Sequence, residues 1–196
     1  MGEVSVILFA FLIMGPEVVL PLTPLMILWV NLVSDGLPAL ALGVEPEEKD
    51  LMERKPRKRN EGFFSDGLGA RILTRGLALG GLSFVTFSFA LGDGYSAQYA
   101  QTVAFLTLIF AQLWSLFDAR TFTTIYRKNP FTNNYLLGAV AVSAILSLGV
   151  VYTSFGQLVF STEAIEFGHL MSIILVAAVP TFVLSAIKEV TKVKFL

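Results

Sequence analysis

The sequence predicts an all-α membrane protein: a polytopic bundle of about six transmembrane segments, the first truncated, with a cytoplasmic C-terminus. Three observations predict it. The chain is 55% hydrophobic and 15% charged, against roughly 45–50% and about 25% in soluble domains. Apolar runs recur along nearly its whole length, separated by short polar stretches. All fourteen Lys and Arg residues fall in alternate polar stretches, the pattern by which membrane proteins set their orientation.

Taken in order, residues 4–14 form an apolar run about half as long as the ~20 residues of a spanning helix. The run stops at Gly15-Pro16-Glu17 and predicts the second half of a spanning helix whose first half is missing. A second span covers about 22–42. A polar loop, 45–66, follows and carries Lys49, Arg54, Lys55, Arg57, Lys58 and Arg59. The third span covers about 71–91, where Gly76, Gly80 and Gly81 supply the small-residue spacing that lets a neighbouring helix approach closely. After the short loop 92–101 comes a fourth span, about 102–117. The hydrophilic stretch 118–134 holds Arg120, Arg127 and Lys128. A fifth span fills 135–152, and a sixth fills about 167–187, where Pro180 removes one helical hydrogen bond and predicts a kink.

Alternation of these spans puts the 45–75 region, the 118–134 loop and the C-terminal tail, with Lys188, Lys192 and Lys194, on one side. The opposite side receives 15–21, 92–101 and 153–166, which hold Glu17, Asp93, Glu163 and Glu166 but no Lys or Arg. The basic side is therefore assigned to the cytoplasm. With its longest loop about twenty residues long, the chain reads as one membrane domain, 1–196, with no room for a soluble one. A net charge of −1 argues against a nucleic-acid partner. The absence of cysteine excludes disulfides and thiolate metal sites and disfavours soft-metal transport. No Gly-x-x-x-x-Gly-Lys-Ser/Thr loop is present, so this chain alone is not expected to hydrolyse ATP.

The chemistry concentrates in Trp29-Val-Asn31-Leu-Val-Ser34-Asp35-Gly36-Leu-Pro38, in the middle of the second span. A charged side chain at the centre of a membrane helix costs roughly 2.5–3.5 kcal/mol on insertion scales, so such residues mark function or tight pairing. Asn31, Ser34 and Asp35 stand at i, i+3 and i+4, a spacing that puts all three on one α-helical face. Glu3 and Gln112 are the other membrane-embedded positions that stand out. Hard cations such as Ca²⁺ take carboxylate, amide and carbonyl oxygens, typically six to eight at about 2.3–2.6 Å. Glu3 and Asp35 would balance one divalent charge; Asn31, Gln112 and Ser34 would add neutral oxygens. A break at Gly36 and Pro38 would free backbone carbonyls, which membranes tolerate where an ion or cavity uses them. Blander roles stand beside these. Ser34 fits a bond to its own helix backbone, Gln112 fits a helix–helix bond as well as a ligand, and Glu3 fits a solvated residue near a chain start. His169 reads as interfacial rather than ligating. The basic loop fits a lipid-binding patch as well as a topology signal.

These residues resemble a known family. Leu28-Trp-Val-Asn31-Leu-Val-Ser34-Asp35-Gly36-Leu-Pro38-Ala-Leu-Ala-Leu-Gly43 is similar to the sixth transmembrane helix of calcium-transporting P-type ATPases. Met52-Glu-Arg54-Lys-Pro56-Arg57 resembles the element in the following cytoplasmic loop, and Gly2-Glu3-Val4 resembles part of the fifth helix. The resemblance covers essentially the whole chain and implies helices five to ten of such a pump. It implies that Asn31, Asp35 and Glu3 are ion ligands and that Ser34 replaces a Thr ligand. Gln112 would stand at an eighth-helix position that is Glu in two-ion pumps. One ion per cycle, with proton counter-transport, is then the expected stoichiometry.

The same resemblance marks what this sequence lacks. The phosphorylated Asp-Lys-Thr-Gly-Thr motif, the nucleotide-binding headpiece and helices one to four do not occur in it, so the chain is expected to be a C-terminal fragment. ATP and Mg²⁺ would act only through those missing parts, which, with the lipid bilayer, are the implied partners. The expected location is the plasma membrane, as a multi-pass protein. Mn²⁺, which takes the same oxygen set, is an alternative cargo. A free-standing membrane protein that binds ions or a partner without ATP is the alternative of a different class.

Overall fold

A computed structural model describes residues 1–45, 67–120, 126 and 132–191. Among these residues the chain is helical and forms no strand. Helix α1 covers Gly2–Met14, α2 Pro24–Trp29 and α3 Gly36–Leu42, the last two joined without interruption by a π-helical segment, Val30–Asp35. Then follow α4 (Leu68–Gly92), α5 (Ala97–Ala119), α6 (Asn134–Tyr152), the short α7 (Ser154–Phe160) and α8 (Phe167–Thr191). Among the described residues five helices are long and apolar enough to cross a membrane: Pro24–Leu42, Leu68–Gly92, Ala97–Ala119, Asn134–Tyr152 and Phe167–Val190; α1 is a shorter apolar helix. The basic loop residues Lys49 to Arg59, the Met52–Arg57 motif, Arg127, Lys128, Lys192 and Lys194 lie outside the described residues.

Helix starts follow local chemistry. Thr23 Oγ1 accepts the Met26 N–H at 3.3 Å ahead of Pro24, the first residue of α2, where a missing N–H costs nothing. Ser96 Oγ accepts the Tyr99 N–H at 3.0 Å, so α5 begins at Ala97, five residues before the apolar run. The polar stretch 153–166 is also more structured than its composition suggests. Thr153 caps α7 by accepting the Gly156 N–H at 3.1 Å, and Gly156 packs so tightly against the Val150 backbone that a Cβ there would clash.

Helix α5 is the axis of the bundle. Ala104, Phe105, Leu106, Leu108, Ile109 and Ala111 are fully buried, and the helix packs against α4, α6, α8 and the π-helical segment. Apolar burial against lipid brings no hydrophobic gain, so contact between membrane helices rests on close packing and polar bonds. Both are present. Ser83 Oγ donates to the Ala104 carbonyl at 2.7 Å, and Thr86 Oγ1 meets Thr107 Oγ1 at 3.1 Å, joining α4 to α5. On its other face α4 receives α1. Gly80 lies against Ser5, the Gly2 carbonyl and the Val6 nitrogen, with no room for a Cβ, and Gly76 lies against Met1.

The two ends of the bundle differ in charge and each is tied together. At one end Gln101 Nε2 donates to the Leu20 carbonyl at 2.7 Å, Gln98 Nε2 to the Thr162 carbonyl at 3.0 Å, and Ser96 Oγ to Glu163 at 2.6 Å. At the other, Arg120 pairs with Glu45 at 3.6 Å, and Asn133 Nδ2 donates to Glu45 at 2.6 Å and to the Ala41 carbonyl at 3.2 Å. Arg75 pairs with Asp118, which also accepts the Ser185 hydroxyl at 2.8 Å. The segments around 20, 96–101 and 162–163 thus share one end, and those around 45, 75, 118–120 and 185 share the other, so the helices alternate in direction. The outward surface is apolar, with Leu40 75% and Leu175 72% exposed. Facing water such a surface would be costly; facing hydrocarbon it is not. The chain is an integral, multi-pass membrane protein.

Candidate cation site

The second span carries the polar residues on a change of helical register. From Val30 to Asp35 the helix is wound with i→i+5 bonds, and α-helical winding resumes at Gly36, whose φ of −66° and ψ of −51° are ordinary helical values. The break expected at Gly36 and Pro38 is therefore a widened turn within a continuous helix. Such π-helical turns recur at functional sites. Pro38, having no N–H, cannot serve a carbonyl one turn back.

This winding separates the three polar residues that α-helical spacing would align. With roughly four residues to a turn in i→i+5 winding, Asn31 and Asp35 stay on one face and Ser34 falls behind it. Asn31 and Asp35 are exposed, whereas Ser34 is fully buried. Asn31 Nδ2 donates to the Ile27 carbonyl at 2.8 Å, which fixes the carboxamide and turns its oxygen away from the helix bond.

Glu3 and Gln112 come from distant parts of the chain and meet directly. Gln112 Nε2 donates to Glu3 Oε1 at 3.0 Å, while Glu3 Oε2 receives the Met1 ammonium at 3.0 Å. Glu3 is 5% and Gln112 9% exposed, so Glu3 is a buried carboxylate rather than a solvated one. α1 delivers it through the close approach at Gly76 and Gly80, and α5 delivers Gln112 about two turns before the basic end. Asp35 lies near enough for its charge and that of Glu3 to interact.

Two buried side-chain oxygens at these positions, Ser34 Oγ and Gln112 Oε1, have no hydrogen-bond partner among the described residues. Leaving a buried polar atom unsatisfied costs about 1–3 kcal/mol, and such atoms call for a water or an ion. The donor set is oxygen only, two carboxylates with amide and hydroxyl groups, and this suits a hard cation. No group of three His, Cys, Asp or Glu side chains converges among the described residues, so the carboxylates present are the pair Glu3 and Asp35.

Two other polar groups have structural surroundings. His169 Nδ1 is 2.6 Å from the Tyr99 hydroxyl and sits edge-on to Tyr95, with ring centroids 5.7 Å apart, at the acidic end of the bundle. Arg75 and Asp118, which composition places in or beside polar stretches, form a buried pair between α4 and α5. The Arg75 guanidinium also reaches the Ser115 carbonyl at 3.4 Å. Neither Ser143 nor Ser147 stands out in the sequence, yet both are fully buried and bond the second span. Ser143 Oγ donates to the Val33 carbonyl at 3.0 Å and Ser147 Oγ accepts the Trp29 indole N–H at 3.2 Å. The available signal was two hydroxyls four residues apart in an otherwise apolar span.

Comparison with known proteins shows the family. Residues 19–190 match the family described as the C-terminus of cation-transporting ATPases. The chain belongs to this family. Curated relatives include a calcium-transporting ATPase of Bacillus subtilis, 46% identical over 185 residues, covering 94% of this chain and 20% of that protein. A calcium-transporting ATPase of Listeria monocytogenes is 36% identical over 197 residues, covering all of this chain and 22% of the relative. One of Yarrowia lipolytica is 32% identical over 179 residues, covering 91% and 19% respectively. The chain spans about a fifth of the length of these relatives.

Proposed function

We propose that this chain supplies the membrane-embedded half of the ion site in an ATP-driven Ca²⁺ pump of the plasma membrane. The observation that carries the reading is the juxtaposition of two elements. One is an exposed Asn31/Asp35 face on a π-helical turn; the other is a buried Glu3–Gln112 pair whose amide oxygen lacks a partner. Calcium is the favoured cargo because Glu3, Asn31, Asp35 and Gln112 all offer hard oxygens and because the relatives above carry calcium transport in their names.

One ion per cycle follows from charge. Glu3 and Asp35 neutralise one divalent cation, and Gln112 adds an oxygen without adding charge. When the ion leaves, two like charges would remain together in a medium of low dielectric, where their repulsion is strong. Protons taken up from the far side neutralise them, which makes the pump a counter-transporter. The exposed face of Asn31 and Asp35 awaits further ligands from helices that precede this region in a full-length pump. ATP and Mg²⁺ act through the cytoplasmic domains of that pump, and the basic end of the bundle faces them.

A chimaera tests this. When this chain replaces the matching C-terminal region of the Bacillus subtilis relative, the pump is expected to show Ca²⁺-dependent phosphorylation by ATP, and Asp35→Asn is expected to abolish it. Phosphorylation with unchanged Ca²⁺ dependence in Asp35→Asn would remove Asp35 from the site. Mn²⁺ in the same assay, supporting phosphorylation at lower concentration than Ca²⁺, would reassign the cargo.

A further inference from the structure

We infer that Ser143 of α6 is a positioning residue for the cation site, holding the π-helical turn that sets the direction of Asp35 relative to Asn31. The inference rests on the cation-pump reading above. Its starting point is the backbone. In i→i+4 winding the nitrogen of Pro38 would serve the Ser34 carbonyl, and in i→i+5 winding the Val33 carbonyl, but proline has no hydrogen to give. The change of register from Val30–Asp35 to Gly36–Leu42 falls at the same two carbonyls. Inside a membrane a carbonyl without a donor is costly, and irregular backbone persists only where neighbouring groups re-satisfy it.

Ser143 supplies the donor. Its hydroxyl meets the Val33 carbonyl at 3.0 Å and is shielded from the surroundings. A serine in a membrane helix commonly bonds the carbonyl four residues back in its own helix; this one crosses to another span. One turn further along α6, Ser147 Oγ holds the Trp29 indole at 3.2 Å. The two hydroxyls therefore grip the second span just before the widened turn and within it. Trp29 is seated further by edge-on contact with Phe160, at a centroid distance of 5.2 Å. Removing the Val33 donor lets the turn rewind, and rewinding rotates Asp35 away from its present direction relative to Asn31. Ser143 touches no ion in this scheme; it acts through the backbone that carries the ligands.

The test uses the full chain in lipid nanodiscs, with Tb³⁺ as a luminescent stand-in for Ca²⁺ sensitised by the nearby indole of Trp29. Ser143→Ala is expected to speed amide hydrogen exchange several-fold across residues 30–37 while α4 and α5 keep their wild-type exchange. Tb³⁺ half-saturation is expected to weaken about three- to tenfold, the effect of one net hydrogen bond. Ser143→Thr keeps the hydroxyl and is expected to restore both. Wild-type exchange and affinity in Ser143→Ala overturn the inference. Faster exchange with unchanged Tb³⁺ affinity, in a chain whose Asp35→Asn variant has lost that affinity, makes Ser143 a packing contact and also overturns it. Failure of the cation reading looks different: Asp35→Asn then binds Tb³⁺ as the wild type does, while exchange across 30–37 still reports on Ser143.

Discussion

Gln112 shows what a single residue decides at this site. Its amide nitrogen is committed to Glu3 at 3.0 Å and its oxygen is buried with no hydrogen-bond partner among the described residues, so one half of the group stabilises a carboxylate and the other half, in the proposed pump, is left for an ion. Gln112→Glu places a second carboxylate against Glu3 in the bundle interior. Without Ca²⁺ it is expected to destabilise the chain by at least about 2 kcal/mol, since a buried charge loses its donor. With Ca²⁺ it is expected to recover more stability than the wild type. Thermal unfolding in detergent with and without Ca²⁺ checks both signs; equal Ca²⁺ shifts in the two proteins would place the ion elsewhere. Glu3 and Gln112 were visible in the sequence as polar groups in apolar runs, but their pairing was not. They are separated by more than one hundred positions, and only the crossing of α1 over α4 brings them together.

At the scale of elements, helix contact here depends on small residues and buried polar pairs. The Gly76/Gly80 spacing was legible because close approach of two helices has a compositional signature, and α1 uses it. Gly80→Val is expected to push α1 off α4 and lower stability by about 1–3 kcal/mol, with loss of the Glu3–Gln112 bond; thermal unfolding measures the first and the reduced Tb³⁺ affinity the second. The α4–α5–α8 junction behaves in the opposite sense. Arg75, Asp118 and Ser185 form a buried cluster with the charge of Lys188 close by, so Arg75→Met removes one of the cations that face Asp118 and is expected to cost up to about 3 kcal/mol. The double variant Arg75→Met/Asp118→Leu is expected to recover part of that loss, because the pair is removed together while the buried Lys188 loses the nearby Asp118 charge. Single-site data cannot separate the two terms, but this double-mutant cycle in unfolding experiments does. The widened turn was only half legible. Gly36 and Pro38 announced a break, whereas its form, a register change that turns Ser34 inward, was not legible, because the Ser143 hydroxyl that meets the Val33 carbonyl comes from another helix.

At the scale of the whole molecule, charge distribution and hydropathy were sufficient to read a multi-pass helical bundle, because a bilayer imposes lengths and satisfied backbones that few other architectures meet. The alternation of helix directions appears in the bonds that close each end of the bundle. Assignment of the basic end to the cytoplasm is expected to hold. In this cysteine-free chain, a cysteine placed at Ser96 should react with an impermeant thiol reagent from outside intact cells, and one at Thr132 should not. The reverse pattern would invert the topology and direct the site's exit the wrong way.

The central claim is that Glu3, Asn31, Asp35 and Gln112 help hold one divalent ion per cycle. Equilibrium ⁴⁵Ca²⁺ binding to the Bacillus subtilis chimaera, normalised to the number of sites phosphorylated by ATP, tests it most directly. The account predicts one Ca²⁺ per phosphorylation site, and none at the same free Ca²⁺ in either Asp35→Asn or Glu3→Gln. Two Ca²⁺ per site, or undiminished binding in both variants, would contradict it.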